Sequence, residues 1–575
     1  MKRSVGPALP ADDRWRAARW PVVSRPGGGS VLAACAATVA FAIVLALCLA
    51  LFFRIQIESG FTRLFSSRTD GSIEVAILEH WYNVVRGREY WSAPLYFYPV
   101  YHGLGYNDGY FLYGLIYAGF RALGGDPFLS SEMVNLVLRA IGFAACFAFL
   151  RAALAVPFVW ALFGAALFTI SDNMALHALH AQLLAVGLAP LAGLLLLLSL
   201  RHLLAGARRL LLVCGLLFAV LMSAWLLTAY YMAWFFGLFV LICCTLALLT
   251  APFGSRRALL RAAWAARGEL IVIAMVQLAT LAPFLWVYVP LAAATGGHDF
   301  AEVLAYGLWP VDILQVGAAN LIWGRLDALL VQHFEPEAGL FSEHTTGLPL
   351  LLLGLFALAC GWLVATARDA PARLARLLAL AAVLVWLLAL QFGDHTLWRY
   401  VYHFVPGARG LRVVSRIQIG LVLPVVIAVA FMLSRLAPRT PWLVLAPLCA
   451  MLLAEEVTLE QSVDIDRPAE MAFLHRLAPP PPGCRVFYAA AARPGMVGDQ
   501  RITDIYSHNV DAMVVAEWFH IPTINGFSTF TPPGWDFAAP EHADYASRVA
   551  RYIEAHGLTG VCAVNFTTGA WQMAP

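Results

Sequence analysis

VLAACAATVAFAIVLALCLALFF (Val31–Phe53) runs directly into RIQIESGFTRLFSSRTDGSIEVAILEHWYNVV (Arg54–Val85), and the change between the two decides the fold. The first stretch has no charge and is long enough to cross a bilayer, which takes about 20 apolar residues. The second carries Arg54, Glu58, Arg63, Arg68, Asp70, Glu74 and Glu79, and polar and aromatic residues continue to Asp126. A membrane span that opens into a long charged loop, 54–126, points to chemistry beside the membrane rather than passage through it.

Working outward, apolar residues make up 61% of the 575-residue chain and charged residues 13%, with a mean hydropathy of +0.73. Soluble domains average about half apolar and a quarter charged, so this composition belongs to an integral membrane protein. A net charge of +3 gives no basis for a nucleic-acid partner. Lys2 is the sole lysine, and the other cations are arginine. No cleavable leader is expected, because the first apolar run is long enough to span. Cys35, Cys48, Cys146, Cys214, Cys243 and Cys244 lie in apolar segments as small hydrophobes, and no Cys-x-x-Cys occurs.

Apolar length predicts about eleven spans, at 31–53, 128–150, 154–172, 180–201, 208–228, 230–251, 268–290, 347–367, 374–391, 413–434 and 441–456. The stretch Tyr110–Leu123 is apolar but short, and reads as a re-entrant or interfacial helix. Arginine sets the orientation. Lys2, Arg3, Arg14, Arg16, Arg19 and Arg25 precede the first span. Alternate short loops then hold Arg151; Arg201, Arg208 and Arg209; Arg256, Arg257, Arg261 and Arg267; Arg368, Arg373 and Arg376; and Arg435 and Arg439. All fall on one side, which the positive-inside rule makes cytoplasmic. The loops 54–126, 296–346 and 392–412 and the C-terminal tail then face the exterior.

Three regions follow: a cytoplasmic tail over 1–30, a transmembrane domain over 31–456, and a small extracytoplasmic α/β domain over 457–575. The last begins where polar residues return near Glu455. It contains a stiff Pro479–Pro482 run and β-like runs at Cys484–Ala489 and Val561–Phe566. Cys484 and Cys562 either pair as a disulfide on this oxidising side or remain two buried thiols.

The outward loops hold the residues with chemistry to offer. Asp70 precedes a helical pattern that puts Ile73, Ala76, Ile77 and Trp81 on one face, so it reads as a helix N-cap. Its functional reading is a general base for an acceptor hydroxyl at the bilayer surface. Glu79 and Asp108 either assist, bind a divalent cation, or are solvated and turn residues. Arg409, Arg412 and Arg416 stand at the outer mouth of the span at 413–434, against the topological trend. Arg412 and Arg416, four apart, are expected on one helical face. A phosphate suits guanidinium forks, with lipid headgroups or Asp394 as the ordinary partners. His177 and His180 lie between the third and fourth spans as polar anchors or anion or metal ligands. Glu343 and His344 come just before the eighth span. Trp81, Trp91, Tyr96, Phe97 and Tyr98 fit an interfacial aromatic belt first and sugar-stacking surfaces second.

In order along the chain, these landmarks resemble a bacterial branch of the GT-C membrane glycosyltransferase superfamily. The resemblance rests on Asp70–Gly71 in the first outer loop, Phe97-Tyr98-Pro99, and Tyr106 with Asp108. It continues with His177, His180, Gln182, Pro190 and Leu191, then Tyr230–Tyr231, then Glu343 with Gly347 and Leu348, then Leu411, Arg412, Val413 and Arg416. It covers roughly residues 30 to 435 and reaches loosely to Asn525–Gly526–Phe527. It implies a polyprenyl-phosphate-linked sugar donor, a glycan, lipid or protein acceptor, and work at the outer face of the bacterial cytoplasmic membrane. It further implies an inverting transfer with Asp70 as base, and Arg412 and Arg416, with Arg409 near, at the departing phosphate. Tyr106, Asp108, Glu79, His177, His180, Glu343 and His344 would line the substrate cavity, and a divalent metal stays open. Two departures stand out. Asp70 follows Thr69 rather than a second acid, and no Trp-Trp-Asp motif occurs, so protein N-glycosylation is not expected. The competing expectations are a non-enzymatic flippase or transporter for lipid-linked saccharides, which would not need Asp70, and a silent scaffold. No internal repeat of the transporter kind is found.

Overall fold

The computed structural model describes residues 31–334, 342–494 and 500–574. The arginine-rich tail over 1–30 lies outside the described residues. Nine helical stretches among the described residues are long and apolar enough to cross a membrane: Val31–Phe52, Pro127–Leu154, Phe158–Leu179, Ala181–Ala205, Arg208–Leu226, Tyr230–Thr250, Arg267–Thr295, Ala370–Ala389 and Ile417–Arg439. Two shorter apolar helices, Leu350–Thr366 and Trp442–Ala454, complete the series where the sequence places spans. The chain is a multi-pass helical membrane protein with a small sheet near its C-terminus.

The longer helices are numbered here as α1 (Val31–Phe52), α2 (Arg68–Val85), α3 (Phe111–Ala122), α4 (Pro127–Leu154), α5 (Phe158–Thr169), α6 (Ala189–Ala205), α7 (Arg208–Leu226), α8 (Tyr230–Thr250), α9 (Arg267–Thr295), α10 (Leu350–Thr366), α11 (Ala370–Ala389), α12 (Ile417–Leu436), α13 (Trp442–Ala454), α14 (Arg467–Arg476), α15 (Gln500–Phe519) and α16 (Tyr545–Ala555). The innermost is α12, packed against α5, α8, α10 and α11. Its most apolar window is 94% buried, against 6% for α9, although the two have similar hydropathy, 2.4 and 2.2. Hydropathy marks a span in both cases, while neighbours decide whether protein or lipid covers it.

The third and fourth spans differ from the sequence expectation. The helix expected at 154–172 is α5, from Phe158, and the one expected from 180 is α6, from Ala189. Between them, residues 170–188 form short helical turns, nearly all buried. Ser171, Asp172 and Asn173 compete for backbone hydrogen bonds and interrupt the helix. Such broken backbone is tolerated when protein surrounds it. Asp172, His177 and His180 all sit in this break.

The loop 54–126 and the C-terminal region form one layer at a single end of the helices. β1 (Arg63–Leu64) pairs antiparallel with β2 (Ile465–Asp466). β3 (Val486–Ala491) runs parallel to β4 (Val561–Asn565), which pairs antiparallel with β5 (Ala570–Met573). A disulfide joins Cys484, just before β3, to Cys562 in β4, with a Cα–Cα distance of 5.7 Å. The extended segment at Leu95–Tyr98 exchanges backbone hydrogen bonds with Thr523 and Asn525. Gly526 lies so close to the Phe97 ring that an added Cβ would fall 2.6 Å from its Cδ1.

This union corrects the aromatic-belt expectation. Trp81, Tyr96 and Phe97 are core residues, 4%, 0% and 0% exposed. The Trp81 indole donates to the Gly109 carbonyl at 2.6 Å, and Phe97 meets Trp535 edge-on. It also explains α2, whose sequence suggests one buried face. With α3 on one side and α15 on the other, both faces are buried. Its polar residues must therefore find protein partners: Glu74 takes Ser131, Glu79 takes Arg121 and Tyr117, and Asn83 takes Glu517.

Candidate active site

At the start of α2 the helix cap is Ser67, not Asp70. The Ser67 hydroxyl accepts the Asp70 N–H at 3.1 Å and faces Asp70 Oδ2 at 3.1 Å. Asp70 therefore occupies the third helical position, where an acid reaches back toward the cap, as in a capping box. Its side chain is 33% exposed and faces the His180 ring, with Nδ1 3.9 Å from Oδ2.

His180 comes from the break between α5 and α6. Its Nε2 lies 3.1 Å from Glu343 Oε1. Glu343 in turn receives the fork of Arg416, through Nε to Oε2 at 2.8 Å and Nη2 to Oε1. Burial alone would push the Glu343 carboxyl up, but Arg416 and the His180 hydrogen bond hold it well below the usual carboxylate range. Arg416 lies over the Tyr231 ring, 5.3 Å from its centroid. A chain of contacts thus runs Arg416–Glu343–His180–Asp70, from the mouth of α12 to the first turn of α2.

Two further acids flank it. Asp108 accepts the Tyr230 N–H at 2.8 Å through Oδ1. Burial pushes its carboxyl up to about 6, against the opposing hydrogen bond from Tyr230 and the charges of Arg416 and His180. Glu74, one turn beyond Asp70, accepts Ser131 Oγ at 3.0 Å, and burial pushes it up to about 8 against that bond. At neutral pH it is largely a neutral carboxylic acid. Sequence reasoning passed over Glu74 as a site residue. The signal was its i,i+4 spacing from Asp70, which sets both on one face.

The arginines separate in role. Helix α12 begins at Ile417 rather than at residue 413, so Arg412 and Arg416 do not share a helical face. The backbone N–H groups of Arg412 and Val413 donate to the Tyr231 hydroxyl, and those of Val414 and Ser415 to the Tyr306 carbonyl. These bonds hold the segment out of the helix. Arg416 is buried and committed to Glu343. The side chain of Arg412 is 32% exposed and more loosely engaged, 3.6 Å from Glu302 and over the Tyr306 ring. Arg409 is exposed over Tyr402.

The remaining candidates are held apart from Asp70. Glu79, nine residues along α2 and so roughly 13 Å away, is bound by Arg121 at 2.8 and 2.9 Å and by Tyr117 at 2.5 Å. His344 Nδ1 is 2.9 Å from the buried Asp312, with its ring against Trp309. Tyr106 packs on Phe97 while its carbonyl accepts Ser528 Oγ. His177 does not share a face with His180. It is buried, its Nδ1 donates to the Asn173 carbonyl at 3.0 Å, and its Nε2 has no hydrogen-bond partner. Among the described residues, three metal-ligating side chains come within mutual reach only at His80, Glu89 and Glu517, away from Asp70.

No protein-family model matches this chain, and no curated protein sequence does. Among solved structures it is similar to the arabinofuranosyltransferase AftD from Mycobacteria, determined by single-particle cryo-EM. The TM-score is 0.47 at 14% identity, over 86% of this chain and 32% of that one. The likeness is distant. This chain spans about a third of that protein's length.

Proposed function

We propose that this protein is a GT-C-type glycosyltransferase of the bacterial cytoplasmic membrane. It would move a sugar from a polyprenyl-phosphate-linked donor to an acceptor hydroxyl at the outer face. The observation that carries the reading is Asp70, a partly exposed carboxylate at a loop–membrane junction, joined through His180 and Glu343 to the arginine mouth of α12. The arginine distribution along the sequence supports an outward-facing position for this end of the helices.

In this reading Asp70 takes the acceptor proton as the acceptor oxygen attacks the anomeric carbon from the face opposite the phosphate, inverting it. The sugar–phosphate bond breaks, and its electron pair leaves on the polyprenyl phosphate. Arg412, with Arg409 beside it, meets the growing charge, where preset cations have most effect. Arg416 is a positioning residue, because both its forked hydrogen bonds already go to Glu343. Glu343 and His180 orient one another and fix the wall that Asp70 faces. Asp108 and Glu74 border this wall.

The test is sugar transfer from a panel of polyprenyl-phosphate sugars by purified wild-type protein and Asp70→Asn, with melting followed in parallel. Transfer by the wild type that is lost in a well-folded Asp70→Asn supports the reading. Transfer retained in the variant moves the base elsewhere, with Asp108 next. Tight lipid-phosphate binding without transfer from any donor would instead make the protein a flippase.

A further inference from the structure

The far end of α2 gathers a second set of ionisable groups that the proposed transfer does not use. His80 projects from α2, Glu89 from the turn that follows it, and Glu517 from α15 near the other end of the sequence. One nitrogen or oxygen from each lies within 4.8 Å of the other two. His80 Nδ1 is 2.6 Å from Glu89 Oε2. The side chains of His80 and Glu89 are 0% and 3% exposed, and Glu517 as a residue 1%.

Hydrogen bonds around the cluster orient each member inward. His80 Nε2 is 3.1 Å from the Trp91 carbonyl, which can only accept, so Nε2 carries hydrogen and Nδ1 is the nitrogen that faces the carboxylates. Metal-ligating histidines are held in this way, with the second ring nitrogen donating to a carbonyl. Glu517 receives the Leu95 N–H at 3.2 Å and Asn83 Nδ2 at 3.2 Å, one on each oxygen. Glu89 Oε1 is buried and has no hydrogen-bond partner; His520 Nδ1 stands 3.6 Å away. Arg88 donates to His520 Nε2 at 2.7 Å, which leaves the Nδ1 hydrogen facing Glu89. Two buried carboxylates side by side repel unless a proton or a cation joins them.

We infer that His80, Glu89 and Glu517 bind one divalent transition-metal ion of the zinc type, which clasps the first loop to the C-terminal region. A neutral imidazole nitrogen with two carboxylate oxygens suits Zn2+ better than Ca2+, which prefers six to eight oxygens. His520 then acts as an orienting donor to Glu89. The site joins residues more than four hundred positions apart, and such a link raises folded-state stability by mass action when the metal is present.

The experiment uses the full-length protein without a polyhistidine tag, stripped with chelator in detergent and dialysed. Zn2+, Mn2+ or Ca2+ is added separately, and bound metal and melting temperature are measured. The wild type should retain one Zn2+ per chain through gel filtration and melt at a higher temperature with it. Glu89→Gln, which keeps shape but loses the anionic ligand, should retain less than about a tenth of that and show no Zn2+-dependent shift. His403→Asn, an exposed histidine elsewhere, should behave as wild type. Against the case that Glu89→Gln fails to fold, Co2+ is also added to the wild type, where a d–d absorption band from a nitrogen–oxygen site is expected. No retained Zn2+ in the wild type, equal retention in Glu89→Gln, or stabilisation by Ca2+ alone would overturn the assignment.

Discussion

The two ends of α2 carry similar residues in different circumstances. At the first turn, Asp70 is one-third exposed, faces a serine hydroxyl, and has a histidine 3.9 Å away. Nine residues later, Glu79 has both oxygens bound by Arg121 and one also by Tyr117. One carboxylate is free to exchange partners during a reaction, and the other is fixed by geometry. A carboxylate's unused hydrogen-bonding capacity, more than its presence in a loop, separates a reacting group from a structural one.

The sharpest way to break that comparison is to neutralise each end in turn. Asp70→Asn should lower sugar transfer by about 10^2- to 10^4-fold, the usual worth of a general base, with little change in melting. Equal loss of activity and stability would mean that Asp70 serves the fold. Glu343→Gln comes next. It leaves the Arg416 side chain, 7% exposed, without its anion, and removing one partner of a buried pair costs about 3–5 kcal/mol. Denaturation should show that loss, and Arg416→Met combined with Glu343→Gln should recover part of it. A single variant as stable as wild type would show that the pair is not needed for folding. Glu79→Gln should have the opposite profile to Asp70→Asn. We expect a loss of about 1–3 kcal/mol from the unsatisfied Arg121, with transfer per folded molecule unchanged; a selective fall in kcat would place Glu79 in the reaction.

These contrasts also show what could be read from sequence. The apolar helices were legible because span length and hydropathy are local properties. The break between the third and fourth spans was legible at 173–179, but its full extent over 170–188 was not, because the residues flanking Ser171-Asp172-Asn173 and His180 are apolar and read as helix. The burial of both faces of α2 was not legible, because its second cover, α15, lies over four hundred residues later. For the same reason Trp81, Tyr96 and Phe97 read as interfacial aromatics and proved to be core. Asp70, His180, Glu343 and Arg416 could each be singled out by type and position. Their connection could not, since Glu343 and Arg416 are 73 residues apart and Glu343 and His180 are 163 apart. The expected shared face of Arg412 and Arg416 failed because Tyr231 and Tyr306 bind the intervening backbone, and no local pattern announces that.

The last prediction concerns Asp108, which lies between the two extremes: half-buried, and within the field of the Asp70 wall. Its carboxyl is held near 6 in the folded chain, against about 3.9 in an unfolded one. Between those values the folded state binds more protons than the unfolded state. Stability from this group is therefore greatest below about pH 4, falls as pH rises to about 6, and is level above that. Asparagine keeps an oxygen for the Tyr230 N–H and carries no charge to bury. Asp108→Asn should therefore match the wild type in stability at pH 4 and exceed it at pH 7.5, by up to about 3 kcal/mol. A difference that does not change between the two pH values would show that Asp108 ionises without cost, as a solvated acid does. A difference that grows with pH would place Asp108 with the buried acids, poised beside Arg416 and His180 to hold a proton below about pH 6.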